Sequence, residues 1–181
     1  MILVLGGVKS GKTSWAESTA AHWAEKNRGE VVYLASARAW DDEMKLRIKR
    51  HQQSRPEEWQ TIEEPLDISG VLKRDDLNAK NIVIFDCLTL WLTNLLMDHG
   101  EDFTQEEAED LVQLKMNELM RAVEEFPGEI IVISNLVEQG LVSPHFLGRI
   151  FQEIAGRCHQ LLAGESEEVF HMIAGIPQRL K

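Results

Sequence analysis

Cysteine is scarce in this chain. Cys87 and Cys158 are its two cysteines, they stand far apart, and they fit no metal-ligand spacing. A disulfide scaffold and a cysteine-built zinc site are therefore excluded, and two free thiols suited to a reducing cytoplasm are expected. Positive charge is also short: 19 Lys and Arg face 30 Asp and Glu, for a formal net charge of −11. So acidic a chain argues against sequence-independent nucleic-acid binding, which needs a cationic surface. Long apolar runs are missing as well. The longest, Ile82 to Met97, is broken by Asp86, Thr89, Thr93 and Asn94, which speaks against a membrane span. The first residues carry no basic n-region, so no signal peptide is expected. With no repeat, low-complexity tract or linker, the 181 residues, 44% of them hydrophobic, read as one domain over 1–181 with a sizeable core.

What is present is organised around Gly6-Gly7-Val8-Lys9-Ser10-Gly11-Lys12-Thr13, which fits the phosphate-binding pattern G-x-x-x-x-G-K-[ST]. Gly6 and Gly11 let the backbone approach a phosphate closely, and the N–H groups between them form a nest for anionic oxygens. Lys12 is placed to reach the β- and γ-phosphates, and Thr13 to offer its hydroxyl to Mg²⁺. The context agrees. Met1 to Leu5 is an apolar run of strand length, and Ser14 to Lys26 reads as a helix whose positive end faces the phosphates.

Further along, Glu30 to Leu34 predicts a second strand, followed by a loop of small residues, Ala35 to Trp40, at the sheet's carboxyl edge. Asp41 to Gln53 reads as a helix with acids in its first turn and with Arg47 and His51 on one face. Spacing alone makes His51 a solvated histidine near a helix end, where the dipole welcomes a cation. Short elements are expected at Trp59–Glu63 (strand) and Asp67–Leu72 (helix), then a polar connector over Lys73–Lys80. Ile82-Val83-Ile84-Phe85-Asp86 reads as a buried parallel strand ending in a Walker-B-like acid, a second candidate for Mg²⁺. Cys87 to Met97 predicts a buried helix and Asp98 to Asp102 an acidic loop. Thr104 with Glu107 makes a capping box before a long amphipathic helix marked by Val112, Met116, Leu119 and Val123. Glu129–Ser134 is a further buried strand, Asn135–Pro144 a loop, Phe146–Leu162 a helix and Glu168–Ala174 a last strand. Alternating strands and helices give an α/β fold, a mostly parallel sheet with helices on both faces.

Taken together, these motifs resemble the bifunctional adenosylcobinamide kinase/adenosylcobinamide-phosphate guanylyltransferase family of cobalamin biosynthesis. The resemblance runs the length of the chain. It includes I-L-V-L-G-G-V-K-S-G-K-T, the strand end Y-L-A-S, D-D-E-M-K-L-R-I-K-R-H-Q-Q-S-R-P, W-Q-T-I-E-E-P and D-C-L-T-L-W-L-T-N-L-L. It closes with the Ser-Asn loop, G-R-I-F-Q-E-I-A-G-R and A-G-I-P. The D-D-E-M…R-I-x-x-H-x-x-x-R-P block is far more specific than a P-loop, and it displaces the plain reading of His51.

The resemblance implies a RecA-like P-loop NTPase domain that assembles as a homotrimer. It implies two reactions: phosphorylation of adenosylcobinamide by a nucleoside triphosphate (GTP, with ATP admissible), then transfer of GMP from GTP through a GMP-histidine at His51. The partners are adenosylcobinamide and its phosphate. Nucleotide contacts are expected from Gly6, Gly7, Val8, Lys9, Ser10, Gly11, Lys12, Thr13, Ser36, Arg47, Arg55, Glu63 and Asp86. His51 and Lys12 are the catalytic candidates, and Thr13 and Asp86 the Mg²⁺ ligands. The chain departs from the family pattern in its last third. Ser134-Asn135-Leu136-Val137-Glu138 replaces Ser/Thr-Asn-Glu-Val-Gly, which removes a carboxylate at 136 and puts one at 138. His159 stands in place of the usual asparagine, and Glu167-Glu168-Val169 replaces an Ala-Asp-Glu-Val pattern. Two other readings remain open on sequence: a P-loop kinase of another small alcohol, and a RecA-like nucleotide switch.

Overall fold

Apolar runs without polar alternation become strands covered on both faces, and such runs form the middle of the sheet. The computed structural model describes residues 1–39, 42, 45, 46, 55–100 and 103–181. Its strands are β1 (Ile2–Gly6), β2 (Glu30–Ala35), β3 (Gln60–Glu63), β4 (Asn81–Asp86), β5 (Glu129–Asn135), β6 (Glu168–Ile173) and β7 (Ile176–Arg179). They form one sheet in the order β3-β2-β4-β5-β1-β6-β7. All neighbouring pairs are parallel except β6 and β7.

Register gathers the functional strand ends. Gly6 pairs with Asn135, Ala35 with both Glu63 and Asp86, and Asp86 with Ile133. The P-loop, Asp86, Glu63 and the segment after β5 therefore share the carboxyl edge, where open α/β sheets bind ligands.

Helix α1 (Lys12–Asn27) turns Ala16 and Ala20 onto one sheet face, beside Val4, Tyr33 and Ile131. Small residues there bring the helix close to the strands, while Trp15 packs against Phe170 with ring centroids 4.5 Å apart. The opposite face carries α2 (Ile68–Leu72), α3 (Leu88–His99), α4 (Gln105–Glu125) and α5 (Phe146–Glu165), whose apolar stripes bury against Leu3, Leu5, Val83 and Val132. The expected capping box opens α4: Thr104 accepts from the Glu107 N–H, and the Glu107 carboxylate accepts from the Thr104 N–H at 2.8 Å.

Three expectations are corrected. Helix α3 continues through Asp98 and His99, so the acidic loop starts later than the run of acids suggests. The P-loop helix begins at Lys12, not at Ser14. Strand β6 is not the last: Ala174 (φ 50°) and Gly175 (φ 84°) form a two-residue turn into β7. A turn with both residues left-handed matches the twist of a hairpin, and Pro177 is tolerated because β7 is an edge strand. Ala-Gly is a weaker hairpin signal than Asn-Gly, which hides β7 in the sequence. The loop after β5 contains a 3₁₀ turn at Val137–Gln139. The expected helix over Asp41–Gln53 lies largely outside the described residues.

The hairpin reaches the P-loop, for the Gly175 N–H donates to the Ser10 carbonyl at 2.9 Å. A Cβ on Gly175 would meet open space, so substitution there is penalised by backbone conformation alone. Gly175→Ala is expected to lower unfolding free energy by about 1 kcal/mol, the left-handed penalty for a residue with a Cβ. Urea denaturation checks it.

Candidate functional site

The P-loop holds its shape by backbone geometry. Ser10 N–H closes back on the Gly7 carbonyl at 3.2 Å, and left-handed φ angles at Lys9 (57°) and Gly11 (96°) turn successive amides to one side. At Gly6 there is no space for a side chain: a Cβ would lie 2.6 Å from Ser10 Oγ and 2.7 Å from the Met172 carbonyl. Lys12 is buried, and its ammonium donates to the carbonyls of Gly6 (3.0 Å) and Gly7 (2.6 Å). Ser10 Oγ is shielded and has no hydrogen-bond partner, a donor turned into the loop that cradles phosphate. Gly7, Val8 and Lys9 form the exposed crown, and Thr13 lies one residue into α1.

Beside the P-loop stands a cluster that the sequence does not announce. Tyr33, fully buried on β2, donates its hydroxyl to Asp86 Oδ2 at the end of β4. The Arg55 guanidinium lies on the Tyr33 ring, 3.6 Å from its centroid. Arg55 Nε and Nη1 are shielded from solvent and, among the described residues, have no hydrogen-bond partner. Two buried cationic donors left unsatisfied are costly, which is the signature of a position made for an anion. Glu17, on α1 one turn past Thr13, completes the group. Burial, then the nearby Asp86 charge, push its carboxyl above the ordinary range, while Arg55 pulls in the other direction. Burial and Asp86 likewise push the Tyr33 phenol far up, so it remains a donor. The sole tyrosine of the chain, at the fourth position of E-V-V-Y-L, is the available clue.

Ser36 plays a different part from the one expected. Its side chain is 0% exposed, and its hydroxyl donates to the Cys87 carbonyl (2.8 Å) and accepts from the Cys87 N–H (2.9 Å). It therefore holds the segment that carries Asp86, with no hydroxyl hydrogen left for a nucleotide. Asn94 of α3 donates to the Ser36 carbonyl at 2.7 Å and ties the same junction to the helix layer. The Cys87 thiol is pushed up to about 11 by burial, so it is no nucleophile. Glu63 sits exposed at the end of β3. His51 and Arg47 lie outside the described residues.

Among the described residues no three His, Cys, Asp or Glu side chains gather into a protein-only metal site. The donors at hand, a threonine hydroxyl and an aspartate carboxylate, are hard oxygen ligands that suit Mg²⁺ held jointly with phosphates.

A strand–loop–helix phosphate cradle, a buried lysine and an acid at a neighbouring strand end, on a mostly parallel sheet, define a RecA-like P-loop NTPase. Two solved structures share this fold. One is an ATPase domain (TM-score 0.52, 15% identity, 94% of this chain and 68% of that one). The other is flagellar accessory protein FlaH from Methanocaldococcus jannaschii (TM-score 0.51, 14% identity, 99% and 77%). Within that class the chain belongs to the cobinamide kinase / cobinamide phosphate guanyltransferase family, whose sequence profile matches residues 2–180. It is similar to the bifunctional adenosylcobalamin biosynthesis proteins CobP of Pseudomonas aeruginosa (39% identity over 99% of this chain and 96% of that protein) and CobU of Escherichia coli K12 (34% identity over 100% and 99%). The chain is thus a nucleotide-using transferase.

The Glu17 environment yields a pH prediction. With its folded-state pKa above its unfolded value, the native state holds the extra proton, so stability falls as pH rises through the folded pKa. Glu17→Gln removes that loss. It is expected to be more stable than the parent at pH 7, with the difference vanishing below the ordinary carboxyl range, as urea melts at the two pH values will show.

Proposed function

We propose that one domain, residues 1–181, performs two successive transfers at the carboxyl edge of its sheet. In the first, the hydroxyl oxygen of adenosylcobinamide's aminopropanol arm attacks the γ-phosphorus of GTP or ATP, and the nucleoside diphosphate leaves. In the second, an imidazole nitrogen of His51 attacks the α-phosphorus of GTP, pyrophosphate leaves, and the phosphate oxygen of the cobinamide phosphate takes GMP from histidine. The product is adenosylcobinamide-GDP, an intermediate of adenosylcobalamin biosynthesis. The observation that carries this reading is Arg55, whose two shielded N–H groups have no partner among the described residues and which lies on the ring of Tyr33, whose hydroxyl donates to Asp86.

Each residue contributes through position and charge, the main means of catalysis in phosphoryl transfer. The amides of Gly6 to Gly11, the Ser10 hydroxyl and the Lys12 ammonium hold the triphosphate. Arg55, with Arg47, offsets charge building on the reacting phosphoryl oxygens. Thr13 and Asp86 would hold Mg²⁺, which would screen the phosphates when bound, and Tyr33 fixes the Asp86 carboxylate through the hydroxyl it donates. Glu63, exposed on the same edge, is assigned to the nucleoside. A neutral imidazole is a competent nucleophile near neutral pH, which supports His51 in that role. Assembly as a homotrimer and a cytoplasmic home belong to the same proposal. The buried free thiols Cys87 and Cys158 suit a reducing compartment. Among the described residues, no helix is long and apolar enough to cross a membrane.

Mass spectrometry after incubation with GTP and Mg²⁺ tests this. The protein is expected to gain one GMP, lost in acid and kept in mild base, with release of pyrophosphate. His51→Asn should lack the adduct yet still phosphorylate adenosylcobinamide. An adduct that persists in His51→Asn, or wild-type protein without one, would refute the guanylyltransferase assignment. Lys12→Ala is expected to depress both transfers while circular dichroism reports an intact fold. Full guanylylation by that variant would separate the two reactions from a shared P-loop.

A further inference from the structure

The loop after β5 contains a buried hydrogen-bonded chain that the two transfers have not used. Ser134, 0% exposed at the end of β5, meets His159 Nε2 of α5 at 2.7 Å. His159, 5% exposed, meets Glu138 Oε1 through Nδ1 at 2.8 Å. In the tautomer that puts a donor against the carboxylate, Ser134 O–H donates to Nε2 and Nδ1–H donates to Glu138 Oε1. The second oxygen, Glu138 Oε2, is shielded from solvent and accepts from nothing.

A carboxylate oxygen hidden from water without a donor is unfavourable by more than a single hydrogen bond normally returns. The fold holds it in place nonetheless. Oε1 is anchored by His159, and the Glu138 stem lies beside Gly156 of α5, where an added Cβ would sit in ordinary van der Waals contact, 3.8 Å from the Glu138 Cβ and Cγ. The backbone sets the location: β5 lies beside β1, and the Leu136 N–H donates to the Gly6 carbonyl at 3.2 Å. Glu138 thus begins two residues from a direct bond to the phosphate-binding loop.

We infer that Glu138 Oε2 accepts the hydroxyl hydrogen of the alcohol to be phosphorylated, and that His159 and Ser134 are positioning residues that fix this carboxylate. The inference deepens the kinase half of the proposed function and rests on it. In the step assigned here, the alcohol O–H points at Oε2 while its oxygen lone pair faces the γ-phosphorus. The new O–P bond forms, the bond from the γ-phosphorus to the leaving diphosphate breaks, and the proton passes to Glu138 Oε2, which gives it up only once product release has opened that oxygen to water. Guanylyl transfer has no alcohol to deprotonate, because a phosphate oxygen is the acceptor, so it does not use Glu138.

The test compares two rates in each variant: phosphorylation of adenosylcobinamide and formation of the GMP adduct from GTP. In Glu138→Gln the His159 N–H captures the amide oxygen, which turns an NH₂ towards the substrate in place of an acceptor. The ratio of phosphorylation rate to adduct rate is expected to fall about 100-fold, within the usual range for a positioned acid or base, through kcat and not KM. His159 supplies the discriminating pair. Asparagine places an amide N–H near the Nδ1 position and keeps the Glu138 contact, whereas glutamine reaches the Nε2 position and keeps only Ser134. His159→Gln should therefore lower the ratio at least about tenfold more than His159→Asn. An unchanged ratio in Glu138→Gln, equal ratios in the two His159 variants, or parallel loss of both rates with a lowered Tm would overturn the inference while leaving the function standing. Absence of phosphorylation by the wild-type protein, with its adduct intact, would instead remove the kinase reading and this inference with it.

Discussion

A phosphate-binding loop works only if its amides converge before the ligand arrives, since ordering them on binding would consume the interaction they provide. Here the constraint is met by clamping the loop from both sides. The Leu136 N–H binds the Gly6 carbonyl from the β5 side, and the Gly175 N–H binds the Ser10 carbonyl from the hairpin side. Gly6 must lack a side chain because the Ser10 hydroxyl and the Met172 carbonyl already occupy the space. The position of β1 in the sheet follows from the same requirement. With β5 on one flank and β6 on the other, each flanking strand delivers its exit segment to the loop. The β6–β7 hairpin is therefore part of the support of this loop, through the Gly175 N–H and through Met172, packed beside Gly6.

Electrostatics explain how a chain of net charge −11 accommodates a triphosphate. The bulk charge sits on solvated faces, such as the acids opening α4, where screening weakens it over a Debye length. The cleft is governed by what is close and partly buried: Lys12 in the loop and Arg55 stacked on Tyr33. Glu17 and Asp86 act in the other direction, and burial first, then the Asp86 charge, raises the Glu17 carboxyl. Arg55 pulls the Glu17 carboxyl back the other way, so opposite charges offset one another at this edge of the sheet.

The sequence is legible wherever one local pattern suffices. The P-loop spans a few residues and is tied to backbone chemistry, so its strand, turn and helix are evident, as are the buried strands and the Thr104–Glu107 box. Contacts across long separations are not. Tyr33 and Asp86 lie 53 residues apart and meet only because β2 and β4 are neighbours in register. Ser36 follows a strand end, which in sequence marks it as a ligand contact; its full use by Cys87 depends on that same register. His159 is a further case. In sequence it is only a substitution on a helix, and its meaning comes from facing both Ser134 and Glu138.

The last example bears on how such a site varies. Strand β5 is locked by five registered pairs to β1, so Ser134 and Asn135 have little freedom to move. The 3₁₀ turn that follows is different, for it is anchored through side chains of α5: Gln152 donates to the Val137 carbonyl at 2.9 Å, and His159 holds Glu138. A carboxylate can therefore migrate along this turn if the helix supplies a matching donor. Position 136 cannot use that support, because Leu136 packs against the core cluster. Substitutions at 138 and 159 are therefore expected to be coupled, because His159 holds Glu138 at 2.8 Å. A large imidazole on α5 spans from β5 to the turn, meeting Ser134 at 2.7 Å and Glu138 at 2.8 Å.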